Sequence, residues 1–582
     1  MKSGVFLKVI VLVVFFLTIV CATIDTHLFV YPSLSRYLLL EMGVAVMAFI
    51  VLFAFLFEKR LLSVTKCHLL VLAWVVYVVL RGFIVPVCEL YRSVYLCATL
   101  LLCLLLSYLE RGRWISRSYI ENVLLAVAGL NVVSVICQRV GLIASGSAYF
   151  EVTGCNENPT VTALYLIGCV QILMVRVKNS VHRFVWVVLL IGILYSVVLL
   201  RCRTAYVGLA VEAVVMLYMR YKPLFAKGKA SVFYLAVAGV SLLLLAFVAG
   251  AKMYDMKKDS ADGRLLIWKL TAEMIADNPQ GYGYGLFEKH YNLKQADYFA
   301  KENYTETERR NATFVYMPYN DYLEHGVEGG VIGMLFLAAF YLLMVRNSVK
   351  AKDFKSTAVL LSFAVMSLFN FVYTSILPWL LLVCHASFVI GVGSTLQMRK
   401  CQMRVVGVVT ALPIMALAIC SFSMVVAQLR LKLLGDGLRG NAYLADKQFV
   451  DAGYGIATSE AFWSMRAANN CRNRQFADAL SNIRVARTYS SLPGLFMMEY
   501  RCRESLGDTE AAVACLDTLS YMLPRSLTVK HLLMRHYAES NRIGEALRYA
   551  DDILSTGFKV QSEKAVSITN QAKHFKKIYG YE

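Results

Sequence analysis

Charge is scarce in this chain. Of 582 residues only 17% are Asp, Glu, Lys or Arg, where a soluble domain carries about 25%. Hydrophobic residues make up 58%, and the mean hydropathy is +0.57. The shortage of charge excludes an ordinary cytosolic enzyme, and the apolar excess excludes disorder. Metal-type cysteine patterns are missing as well. The 15 cysteines form no Cys-x-x-Cys pair and no Cys/His group at zinc spacing. The chain also has no Asp-x-Asp pair, so neither a metal ion nor any other cofactor is expected. Alternating apolar patterns are absent, which excludes a transmembrane barrel.

What is present is a series of continuous apolar runs. About 20 residues cross a bilayer as a helix. Thirteen spans are read at roughly 5–23, 37–57, 67–86, 93–109, 119–145, 160–176, 183–200, 204–219, 231–250, 326–345, 355–373, 378–395 and 405–427. The first follows Lys2 and Lys8 but has no small-x-small cleavage site before Asp25, so it is expected to remain as an uncleaved helix. The fold expected is all-α: a polytopic membrane protein with about 13 transmembrane helices. Its divisions are residues 1–250 (spans 1–9), 251–325 (a large loop), 326–427 (spans 10–13) and 428–582 (a polar, helix-patterned domain).

The net charge of +20 comes from 59 Lys+Arg against 39 Asp+Glu. In a soluble protein it would suggest nucleic acid. Here the even-numbered loops hold 20 Lys and Arg residues, and the short odd-numbered loops hold only Arg36, Arg92, Arg201 and Arg203. The bias puts the N-terminus and even loops in the cytoplasm. It accounts for the charge without nucleic acid, and it places both the 251–325 loop and the C-terminal domain outside. Within that domain Ala479, Ala512 and Ala546 sit in similar stretches, 33 and 34 residues apart. That period is the tetratricopeptide signature, in which stacked helix pairs bury a shared face and offer a concave surface to a protein partner.

Arginines on the outer side are exceptions to the charge rule. Arg201 and Arg203 lie in a short outer turn, Arg81 and Arg139 lie near the outer ends of spans 3 and 5, and Arg264 follows span 9. A single such residue snorkels to the interface. Five at one level suit phosphate or pyrophosphate, whose oxygens match the guanidinium fork. Within the loop, Asp262-Gly263-Arg264 opens a helix that carries Trp268 and stops at Asn278-Pro279. The glycine turn 281–285 lacks a Gly-Lys-Ser/Thr ending and is no P-loop. Before span 10, Asn320 is placed to cap a helix, with Asp321 behind it and Glu324, His325 and Glu328 following.

Taken in order, these motifs resemble the O-antigen ligase superfamily, which includes O-antigen polymerases and bacterial protein O-oligosaccharyltransferases. The resemblance rests on Gly154-Cys155-Asn156-Glu157-Asn158-Pro159-Thr160, on Arg203-Thr204-Ala205-Tyr206, on Gly263-Arg264-Leu265-Leu266-Ile267-Trp268, and on Asn320-Asp321-Tyr322-Leu323 with Glu328-Gly329-Gly330. It implies a polyprenyl-diphosphate-linked glycan donor, with Arg203 and Arg264 as diphosphate ligands. Arg81, Arg139 and Arg201 are further candidates. The family's proposed base is a histidine just before the Asn-x-Tyr-Leu stretch; that position is Tyr319 here. Arg203, Arg264 and Tyr319 are therefore the catalytic candidates, with Asn320, Asp321, Glu324, His325 and Glu328 as acceptor or base candidates and His290 as another base candidate.

The activity implied is metal-independent transfer of the glycan to a lipid A-core, glycan or protein hydroxyl at the periplasmic face of a bacterial inner membrane. The alternative within the superfamily is an O-antigen or capsule polymerase. A transporter of lipid-linked glycan would place ionisable groups at mid-membrane, where Glu212 is the main acid. A non-catalytic scaffold would rely on the repeats alone.

Overall fold

The computed structural model describes residues 2–23, 29, 32–57, 63–85, 90–225, 258–393, 396–397, 400–439, 449, 460–556 and 562–580. The chain divides into two compact units. The first comprises Met1–Pro86, Leu90–Ala251 and Tyr319–Leu433; the second comprises Val87–Glu89, Lys252–Pro318 and Leu434–Glu582.

The first unit starts with α1 (Lys2–Cys21), α2 (Pro32–Phe57), α3 (Lys66–Ile84), α4 (Leu90–Arg111), α5 (Arg117–Arg139), α6 (Pro159–Asn179), α7 (Arg183–Leu200) and α8 (Arg203–Phe225). The second unit then contributes α9 (Lys258–Asp277), α10 (Phe287–Ala300) and α11 (Glu306–Asn311). The chain returns to the first unit with α12 (Asp321–Glu328), α13 (Gly330–Lys350), α14 (Phe354–Met366) and α15 (Ile376–Val389), and α16 (Lys400–Arg439) leads out of it. The rest is α17 (Glu460–Arg472), α18 (Phe476–Tyr489), α19 (Pro493–Ser505), α20 (Thr509–Met522), α21 (Leu527–Glu539), α22 (Ile543–Ser555) and α23 (Glu563–Tyr579). A two-residue antiparallel pairing of 63–64 with 396–397 is the one non-helical ladder among the described residues.

The protein is thus an all-α, multi-pass membrane protein. Eight described helices are long and apolar enough to cross a bilayer, and three shorter ones are apolar. Twelve of the thirteen expected spans fall on helices; the ninth, 231–250, lies outside the described residues. Three expected ends are corrected. α5 stops at Arg139 rather than 145, because Gly141 turns the chain at φ +77° and Leu142 N–H closes back on Cys137 O. α14 stops at Met366 rather than 373, where Leu368 and Phe369 N–H turn back on Val365 and Met366 O. α15 stops at Val389 rather than 395, where Val392 N–H turns back on Val389 O.

α15 is apolar all round and buried all round, with Trp379, Leu380, Leu381 and Leu382 at 0% exposure, as an axial helix must be. α6 packs beside it at close range: a Cβ on Gly168 would stand 2.7 Å from Leu381 Cδ2. Small residues permit such approach where water supplies no hydrophobic drive between helices. α7 instead exposes Phe184, Val185, Val188 and Ile191, the surface a bilayer would solvate. One end of the unit is tied by charge. Arg117 grips Asp353 with two bonds of 2.6 and 3.1 Å and Glu121 with a third, and Lys355 also reaches Glu121. These are cations of the basic loops. They lie about 30 Å from the start of α13, given its 21 residues at 1.5 Å each.

In the second unit, helix starts recur at Glu460, Pro493 and Leu527 and at Phe476, Thr509 and Ile543, 33 and 34 residues apart. Each of α17–α23 packs on the next. The Cys471 and Cys502 sulfurs face each other at 3.2 Å.

Candidate functional site

At the start of α12 the chain makes an unusual choice. Tyr319 takes a left-handed backbone with φ +55°, a strained conformation for a bulky residue. The turn frees Asn320 to cap α12 by accepting Leu323 N–H at 3.1 Å, and it sends Asp321 into the protein, where it is fully buried. One carboxylate oxygen of Asp321 accepts three bonds, from the Ser367 hydroxyl at 2.6 Å and from Val372 and Tyr373 N–H at 3.1 Å each. α14 has already ended at Met366 by then, where Leu368 and Phe369 N–H turn back on Val365 and Met366 O, and the backbone beyond that turn is left to serve the carboxylate.

The segment 367–375 is therefore a hub. Tyr37 donates to Thr374 O at 2.5 Å, Tyr95 donates to Tyr373 O at 3.1 Å, and Asn370 donates to the Thr204 hydroxyl at 3.2 Å. Tyr319 packs edge-on against Phe371, with ring centroids 5.8 Å apart. Arg203, half-buried, opens α8 immediately before Thr204. One turn-rich segment thus ties the Arg203 motif to the Tyr319–Asp321 motif, though 116 positions separate Arg203 from Tyr319 in sequence.

Behind α12 lies a group of buried charges. Glu324 and Glu328, one turn apart, are each 2% exposed. Arg92 on α4 lies near both, with its guanidinium 5.9 and 5.6 Å from the Tyr37 and Tyr91 ring centroids. Its Nε and Nη1 are buried and find no hydrogen-bond acceptor among the described residues, and Glu324 Oε2 finds no donor. Buried polar groups left over after the protein's own bonding are those a bound anion or hydroxyl would satisfy. Burial lifts the Glu324 carboxyl to about 7, with the Arg92 charge opposing the rise. Arg81 is buried in the last turn of α3, and Tyr77 one turn earlier donates to Gly329 O at 2.5 Å. Arg36 clamps the Gly154–Pro159 loop through Asn156 Oδ1 at 2.6 Å and Cys155 O at 2.7 Å.

Other candidates sit elsewhere or do other work. His325 is fully buried, edge-on to Trp74 and Tyr373. Its Nδ1 lies 3.1 Å from the Asp321 carbonyl, which only accepts, so Nδ1 carries the hydrogen. Burial depresses its pKa to about 4 and keeps the ring neutral. Arg139 is exposed and pairs with Glu151 at 3.1 Å. Arg201 is exposed at the left-handed cap of α7. Arg264 and Trp268 belong to α9 of the second unit, where the Trp268 indole donates to Pro318 O at 2.9 Å. His290, in the same unit, lies against Tyr282 with ring centroids 4.4 Å apart, and burial depresses its pKa to about 4. No group of three potential metal ligands occurs among the described residues.

Sequence reasoning passed over Arg36, Arg92 and the whole 367–375 segment. Arg36 and Arg92 did carry a signal, as two of the four cations in short outer loops.

Residues 187–338 match the family model described as O-antigen ligase. That stretch runs from α7 through the Arg203 motif, the loop and α12 into α13, and over it the chain is similar to the O-antigen ligase family. No curated protein gives a significant match.

Proposed function

We propose that the protein transfers a glycan from a polyprenyl-diphosphate donor to a hydroxyl of lipid A-core, glycan or protein at the periplasmic face of a bacterial inner membrane. The supporting observation is Glu324, buried inside the matched family segment with an unsatisfied carboxylate oxygen and with Arg92 of α4 beside it, whose Nε and Nη1 are buried and unsatisfied as well. The acceptor oxygen attacks the anomeric carbon, the carbon–oxygen bond to the diphosphate breaks, and the acceptor proton passes to Glu324. A carboxyl poised near 7 suits a general base at neutral pH. Arg203, Arg81 and Arg92 are read as cations that stabilise the departing diphosphate without a metal, as preorganised charges do for a developing anion, and the family resemblance gives Arg264 a diphosphate role as well.

The test is single-turnover transfer from a defined lipid-linked donor in reconstituted membranes. Arg203→Ala and Arg264→Ala should each lose ten-fold or more, since a charge-assisted hydrogen bond contributes about 1.5–3 kcal/mol. Lys should not restore activity, because a point charge does not reproduce the fork. Full transfer by both Ala variants at equal abundance would refute the assignment.

A further inference from the structure

The loop that carries Arg264 does not stand alone. Its helices α10 and α11 dock on the C-terminal helices at three levels. At its start Glu288 accepts the Ser490 hydroxyl at 2.8 Å, the Ser491 hydroxyl at 2.6 Å and Ser491 N–H at 3.2 Å, while Lys289 donates to Thr488 O at 2.7 Å. These acceptors and donors lie where α18 gives way to α19. Midway, Ala296 is buried in one apolar core with Leu516, Leu519, Met522 and Leu533, and Leu293 packs against it. Gln295 donates there to Met522 O at 2.8 Å. Beyond α10, Arg309 pairs with Asp552 of α22, which also holds the buried Lys530 at 2.9 Å. Arg525 donates to Arg310 O at 3.1 Å.

α10 and α11 in turn hold α9. Lys269 bridges to Glu308 at 2.9 Å and Tyr298 at 2.7 Å, and Lys294 reaches Asp277 at 2.8 Å. Asn292 makes a two-way bond with the Val315 backbone. Trp268, one turn beyond Arg264, holds the Pro318 carbonyl, the last residue before Tyr319. A chain of direct contacts therefore runs from the C-terminal helices through α10 and α11 to α9, the helix that carries Arg264, and on to Pro318.

We infer that the C-terminal helical domain is a positioning element of the transferase: one of its faces binds this chain's own loop and so fixes Arg264 for the donor. Glu288 and Asp552 are positioning residues, since they touch neither donor nor acceptor and act through α10 and α11. The inference rests on the diphosphate role given to Arg264 above.

The experiment uses the full-length protein in lipid nanodiscs, with hydrogen exchange and steady-state transfer measured on the same preparations. Glu288→Ala should speed amide exchange in α9 (Lys258–Asp277) at least ten-fold and leave α21–α23 protected. It should raise the donor KM at least ten-fold, with kcat within about three-fold. Glu288→Gln, whose amide can still bond both serines, should restore both readouts. Unchanged α9 exchange in Glu288→Ala overturns the inference, and so does faster exchange with an unchanged donor KM. Should Glu288→Ala not fold, Asp552→Asn supplies the same comparison. A wild type that transfers nothing from a diphosphate donor defeats the functional reading, and the exchange result then decides by itself whether these helices hold the loop.

Discussion

Replacing Asp321 separates an anchor from a base. Burial pushes its carboxyl well above the usual range, with Glu324 adding to the rise and the three bonds from Ser367, Val372 and Tyr373 opposing it. All three donors meet one oxygen; the other bonds to nothing among the described residues. A neutral acid presents that pattern, and an asparagine carbonyl reproduces it. Asp321→Asn should therefore fold and transfer within about three-fold of wild type. Asp321→Ala strands the donors. The Ser367 hydroxyl can turn to Tyr341, 2.9 Å away, but the Val372 and Tyr373 N–H groups cannot turn. Each stranded buried donor costs about 1–3 kcal/mol, so the loss is about 2–6 kcal/mol, a large fraction of an ordinary stability of about 5–15 kcal/mol. The assay is thermal unfolding of detergent-extracted protein beside single-turnover transfer. An Asn variant with wild-type melting and a hundred-fold loss of transfer would refute the reasoning and make Asp321 part of the chemistry.

Tyr319→Phe should cost transfer little, since one hydrogen bond contributes about 0.5–1.5 kcal/mol; a loss beyond about a hundred-fold, roughly 2.7 kcal/mol on the barrier, would give the phenol a direct role. Glu324 binds its proton more tightly folded, at about 7, than at its usual 4.5, so folded stability should fall as pH rises across that window and level off above it. Glu324→Gln should flatten that dependence in melting curves from pH 4 to 8 and abolish the rise of transfer through neutral pH; an unchanged pH profile would exclude Glu324 as the base. For topology, a phosphatase fused after Leu434 should be active and one fused after Lys222 silent, and the reverse pattern would remove the periplasmic site.

The site was legible in the sequence only in part. The Arg203 and Asn320–Glu328 motifs announce themselves because their residues are contiguous and each opens a helix. Asp321 also read as a base candidate, because a carboxylate in a polar motif looks available for chemistry. Only its three donors, 46 to 52 positions away, show that it closes a fold. Arg92 was visible as an outer cation, but nothing local says that it lies beside Glu324, because α4 and α12 are brought together by helices between them in sequence. Residues 367–375 read as the tail of an apolar span, since Phe371, Val372 and Tyr373 are apolar and give no hint that their backbone serves a carboxylate.

The sequence by itself determined the membrane class and the helical fold, with twelve of its thirteen apolar runs falling on helices. Those follow from a short-range quantity, apolar length against bilayer thickness. It also determined the near-34 spacing of the C-terminal helices, which is written as a period. Tertiary structure alone decided which charges are buried together, which carboxylate anchors the hub and which stands beside Arg92. It alone showed that α10 shares a core with the C-terminal helices. These are pairings between residues tens to hundreds of positions apart. Their free energy comes from removing groups from water in company, and burial in company is a property of the packed molecule rather than of any stretch of chain.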